Sequence, residues 1–123
     1  MTILDNIKLT YNYTGYNTRK NMPKMNDYKV TLKYNNKQLT INYSMGKALT
    51  EKDLTVKSVI YSLLLDSDSA NYDFSEFCDN YGYDNDSISA NNIYKQCVKI
   101  ARKFNNMFTK NEIQELQDLL QDY

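Results

Sequence analysis

Seven carboxylates, Asp66, Asp68, Asp73, Glu76, Asp79, Asp84 and Asp86, fall in residues 66–94, a stretch that contains no Lys or Arg. Acids gathered in this way can coordinate a hard cation, work as an acid–base pair, or present anionic charge to a basic partner. Calcium fits the pattern poorly. Asp66-x-Asp68 and Asp84-x-Asp86 both imitate the opening of an EF-hand loop. The position that needs glycine, however, is Asn71 or Ser89, and the twelfth residue is Phe77 or Lys95 rather than glutamate. Asp73 and Glu76 have the spacing of a capping box, a simpler account than acid–base work on a glycoside. Partner binding is therefore the functional expectation for all seven. The ordinary account stands beside it: Asp73 and Asp86 cap helices and the others solvate loops.

Other reactive chemistries lack their residues. The chain has no histidine, which excludes the Ser-His-Asp triad, the usual neutral-pH general base and the common zinc sites. Cys78 and Cys97, the only cysteines, each sit on the apolar stripe of an expected helix and read as buried free thiols rather than a disulfide. Gly15, Gly46 and Gly82 are isolated, so no glycine-rich phosphate loop can be written. No catalytic, metal-binding or cofactor-binding residue is assigned, and neither enzymatic activity nor a cofactor is expected. Among the bases, Lys29 and Lys33, with Arg19, Lys20 and Lys24 before them, are of the type that contacts phosphates, and a solvated sheet surface explains them equally well.

The elements that must position these residues follow from periodicity. Ile7, Leu9, Tyr11 and Tyr13 alternate with polar residues as a strand with one buried face does, and Thr14 to Asn26 reads as a loop. YKVTLKY and KQLTINY flank Asn35-Asn36, which suits a two-residue type I′ turn. That turn sets Leu32 against Leu39, Val30 against Ile41 and Tyr28 against Tyr43 on one face, with Lys29, Thr31, Lys33 and Thr40 on the wet one. Helices follow: one from Thr50 or Thr55 to Leu65, one carrying Phe74, Phe77, Cys78 and Tyr81 and stopped by Gly82, and a last one opened by Thr109 and Glu112. The longest, Asp86 to Phe108, is capped by Asp86 or Ser87, and its stripe includes Ala90, Ile93, Tyr94, Cys97, Ala101 and Phe104, with Ile93 and Phe104 expected inside.

The fold class expected is α+β. About three antiparallel strands within 7–43 pack on a layer of about four helices within 51–65, 73–81, 86–108 and 110–122, all in one domain of 123 residues. Neither a long apolar run nor a leader-like amino terminus is present, so a location in the cytoplasm, off the membrane, is expected. Charge is zero overall but unevenly spread: residues 1–65 hold ten bases against four acids, while 66–94 are purely acidic.

YKVTLKY, YSMG, VIYSLLLDS and FSEFCDNYGYDNDSISANNIYKQC together resemble a group of small phage and prophage proteins. The matching positions are Tyr43 to Gly46, Leu63 to Asp66, Phe74 to Cys78, Gly82-Tyr83, Asp86-Ser87, Ala90 and Tyr94-Lys95, within residues 28–110. The resemblance implies a counter-defence factor, a class that includes anti-CRISPRs, and no residue-level site. The expectation is a non-enzymatic, phage-encoded inhibitor that binds and blocks a bacterial defence component such as a CRISPR-Cas effector, with its acids standing in for phosphate charge. The alternatives are sequestration of a nucleotide immune signal by Tyr, Lys and Arg side chains, and a nucleic-acid-binding phage accessory role.

Overall fold

The structure is a computed structural model that describes residues 2–17, 25–46 and 51–123. Arg19, Lys20, Lys24 and residues 18–24 of the expected loop lie outside the described residues, as does a helix start at Thr50. The chain forms two compact units, Met1–Val59 and Ile60–Tyr123, with three strands in the first and helices in the second, an α+β composition.

The first unit opens with a 3-10 turn, Ile3–Asn6, closed by Asp5, whose Oδ2 accepts from the Thr2 N–H at 2.8 Å. Three antiparallel strands follow as a meander: β1 Lys8–Asn17, β2 Met25–Tyr34 and β3 Lys37–Gly46, in the order β1-β2-β3. Asn35 and Asn36 take φ of 50° and 65°, the left-handed pair that a type I′ turn demands and that Asn tolerates. The turn sets the β2–β3 register as expected: Leu32 opposes Leu39, Val30 opposes Ile41 and Tyr28 opposes Tyr43. Val30 and Leu32 are wholly buried, each contributing about 1.5–3 kcal/mol by leaving water.

Two expectations for β1 are corrected. The strand does not end at Tyr13 but runs on to Asn17, and β2 begins at Met25, inside the segment read as loop. Gly15, taken as a loop signal, belongs to a bulge: pairing passes from Tyr13–Tyr28 to Gly15–Asp27, leaving Thr14 unmatched, and Gly15 has φ +147°. Nor are the Tyr11 and Tyr13 side chains buried, although they share a face with Val30 and Tyr28, Tyr13 being 53% exposed. Among the described residues β1 is an edge paired with β2 alone, so these rings lean on Tyr28 edge-on, with centroids 6.0 and 5.4 Å away.

Helix α1, Val56–Ala70, starts at the later of the two expected places. The Thr55 and Ser58 hydroxyls each accept from the other's backbone N–H, at 3.1 and 3.0 Å. It runs five residues beyond the expected end at Leu65, since DSDSA holds neither Gly nor Pro and Ser69 Oγ bonds back to the Leu65 carbonyl at 3.0 Å. Asp66 and Asp68 are therefore helical rather than in a loop. The remaining helices are α2 Phe74–Tyr81, α3 Ile88–Met107 and α4 Lys110–Leu119. Ser87, not Asp86, caps α3 by accepting from Ala90 N–H at 3.1 Å, and Thr109 with Glu112 forms the expected box at α4.

Along α3, Ala90, Ala101, Phe104 and Met107 are buried as the stripe requires, but Ile93 is 43% exposed, against expectation. The helix that meets this half of α3 is the eight-residue α2. Its Phe77 and Cys78 cluster with Ala90 and Tyr94, which leaves the Ile93 flank uncovered.

Candidate functional site

The seven carboxylates divide by environment. Five belong to α2 and its two ends. Asp73 caps the helix, its Oδ1 accepting from Glu76 N–H at 2.8 Å, so this carboxylate has a structural task and the Asp73–Glu76 spacing needs no catalytic account. Glu76 and Asp79 stand exposed on α2. Gly82 takes φ +71° and turns the chain, with Tyr83 N–H donating to the Cys78 carbonyl at 2.9 Å, which terminates the helix as the sequence anticipates. Asp84 then accepts from Asp86 N–H at 3.0 Å, a side-chain turn that leads into the Ser87 cap and leaves Asp86 exposed.

Asp79 and Asp84 both lie near Cys78. Burial pushes the Cys78 thiol up, and the charges of Asp79 and Asp84 push it further, which disfavours the thiolate form. The same turn gathers aromatic rings. Phe77, buried, touches Tyr81, Tyr83 and Tyr94 with centroids 5.0, 5.7 and 5.2 Å away. Tyr81 and Tyr83 stack on each other at 6.3 Å and 29°. Outside the Phe77 anchor these two rings stay in solvent, 52% and 41% exposed, with the Tyr81 hydroxyl tied to Ser69 Oγ at 2.6 Å. The sequence puts Tyr81 on the helix with Phe74, Phe77 and Cys78, and Tyr83 just beyond Gly82. The signal for a joint role was the Tyr-Gly-Tyr spacing, in which a left-handed glycine brings alternate rings together.

The other two acids sit on α1. Asp68 is exposed and lines an open cavity of about 500 Å³ with Asn71, Asn105, Lys110 and Gln114. Asp66 is not a surface charge. It is partly buried, and the Cys97 thiol points at its Oδ1 with a sulfur–oxygen distance of 3.9 Å. Burial raises the Asp66 carboxyl above its ordinary 3.8, and the hydrogen bond from Cys97 offsets part of that rise. The Cys97 thiol is in turn pushed up by burial, then by the Asp66 charge and hydrogen bond.

A raised folded value means that the folded chain binds this proton more tightly than the unfolded one. Asp66 therefore costs nothing below the unfolded value and lowers stability progressively as pH rises from there through the raised folded value. Asp66→Asn keeps the shape without the charge, so its melting temperature should exceed the wild type's at neutral pH and match it in acid. Thermal melts across that range check this, and parallel curves for the two proteins would contradict it.

Among the described residues no group of three or more His, Cys, Asp or Glu side chains is arranged to hold a metal ion, and no helix is long and apolar enough to cross a membrane. The arrangement offers a stacked, half-exposed aromatic pair on a stretch of chain whose acids, Asp79, Asp84 and Asp86, are exposed, suited to recognition by contact. Comparison of the chain with protein-family models, curated proteins and solved structures gives no match in any of the three.

Proposed function

We propose that the protein is a non-enzymatic, phage-encoded inhibitor that binds a bacterial defence protein in the host cytoplasm and blocks it, the target being the nucleic-acid-binding surface of a CRISPR-Cas effector. The observation that carries this reading is the stacked, half-exposed Tyr81–Tyr83 pair set among Asp79, Asp84 and Asp86 in a stretch without a base. Tyrosines give large contact area at low entropic cost, and these two are already ordered against Phe77, so little freedom is lost on binding. The carboxylates around them favour a basic partner, raise its association rate and compete where phosphates would otherwise bind. The resemblance to phage accessory proteins supplies the biological setting.

Phage challenge of cells that express the protein beside each of a panel of CRISPR-Cas systems tests the proposal. Plating should recover in at least one system, and recovery in none would remove the CRISPR assignment.

A further inference from the structure

The outer face of the sheet carries a second charged surface, of opposite sign. Cross-strand partners point to one face, so the register arranges this face in rows of three. At the hairpin end, Lys8 stands directly opposite Lys33, with a glutamine completing the row on β3. Threonines of all three strands form the next row, Thr31 and Thr40 sharing a hydrogen bond at 3.0 Å. In the third, Lys29 lies between two asparagines. None of these nine side chains is acidic, apolar or buried. An acid appears only in the fourth row, where Asp27 accepts from Ser44 Oγ at 2.6 Å.

Simple solvation does not account for this pattern. Lysines that protect a sheet from pairing belong on edge strands, yet Lys29 and Lys33 are on β2, which is paired on both sides. Like charges directly opposite, as Lys8 and Lys33 are, oppose strand pairing, and a surface selected for solubility alone intersperses both signs. A bound polyanion removes that repulsion. Rows about 6.7 Å apart place Lys29 about 13 Å from the Lys8–Lys33 row, several times the rise of about 3.4 Å per nucleotide, so the two ends hold different phosphates. The tyrosines of the strands occupy the opposite register positions, so none of the nine side chains in these rows is a ring on which a base can stack, Tyr34 only lining the hollow at the hairpin end beside Lys8 and Lys33.

We infer that the outer sheet face of Lys8, Lys29 and Lys33 binds the phosphodiester backbone of nucleic acid without reading its bases. This surface does not depend on the acidic, aromatic one, and either proposal can fail alone.

Fluorescence anisotropy with labelled oligo-dT and with a mixed-sequence duplex, titrated at several salt concentrations, is the test. The wild type should bind both weakly, with log K against log salt falling at a slope of about −2 for the single strand and about −3 for the duplex, as three phosphate contacts imply. Changing all three lysines to glutamine should flatten both slopes nearly to zero. The double variant Lys8→Gln, Lys33→Gln should remove about two thirds of each slope, and replacing all three with arginine should keep the binding. A variant of equal charge change on α3, Lys95→Gln, Lys99→Gln, Arg102→Gln, should bind like the wild type. Absence of salt-dependent binding by the wild type, or equal losses in the sheet and α3 variants, would overturn the inference. Strong preference for one base sequence would overturn its second half.

Discussion

Phe104→Ala should destabilise the protein by about 3 to 5 kcal/mol, the largest loss expected from any single change on α3, while Lys103→Ala should leave stability nearly unchanged. Phe104 is fully buried and lies 5.2 Å from the Phe108 ring, so truncation loses both the transfer energy of the ring and its packing, and leaves a cavity that a helical backbone cannot readily close. Lys103, one residue earlier, is turned by about 100° to the exposed side of the same helix. Urea denaturation followed by circular dichroism separates the two, because the midpoint reads stability directly when the slope is unchanged. Similar midpoints would mean that the stripe has been assigned to the wrong face.

That contrast was legible in the sequence because burial on α3 follows the 3.6-residue period through its second half. The hairpin was legible for a related reason: Asn35-Asn36 permits one tight turn, and a tight turn leaves one register. Where local signals admitted two outcomes, the reading failed. Gly15 marks either a loop or a bulge, and only pairing across to Asp27 distinguishes them. DSDSA has the composition of a loop, but it holds no breaker, so α1 continues through it and takes Asp66 beside Cys97. Ile93 lies on the stripe by period, yet exposure depends on how much of α3 the short α2 can cover, which is a tertiary fact. In the candidate site the acids were visible as composition. The Tyr81–Tyr83 stack was not, since it arises from the turn at Gly82 rather than from either residue alone.

Among the seven acids, Asp68, Asp79 and Asp86 are the three whose reversal tests function with least structural cost. Asp73 and Asp84 hold a helix cap and a turn, Glu76 lies in the first turn of α2 where negative charge is favourable, and Asp66 is partly buried. The chosen three are exposed, and solvent screens the repulsion they exert on their neighbours. Reversing all three to lysine should therefore lower the melting temperature only slightly, most of the loss coming from Asp86, which precedes the Ser87 cap at the positive end of α3. Against a basic partner the same change replaces attraction with repulsion, so affinity at low salt should fall at least tenfold, or about 1.4 kcal/mol, mainly through slower association. Its salt dependence should weaken in parallel, whereas Tyr81→Ala, which removes contact area and no charge, should lower affinity through faster dissociation and leave the salt dependence intact. Surface plasmon resonance against the defence protein identified by the plating assay distinguishes the two signatures. Wild-type kinetics in the triple variant would exclude the acidic face as the binding surface and direct attention to the sheet face around Lys29 and Lys33.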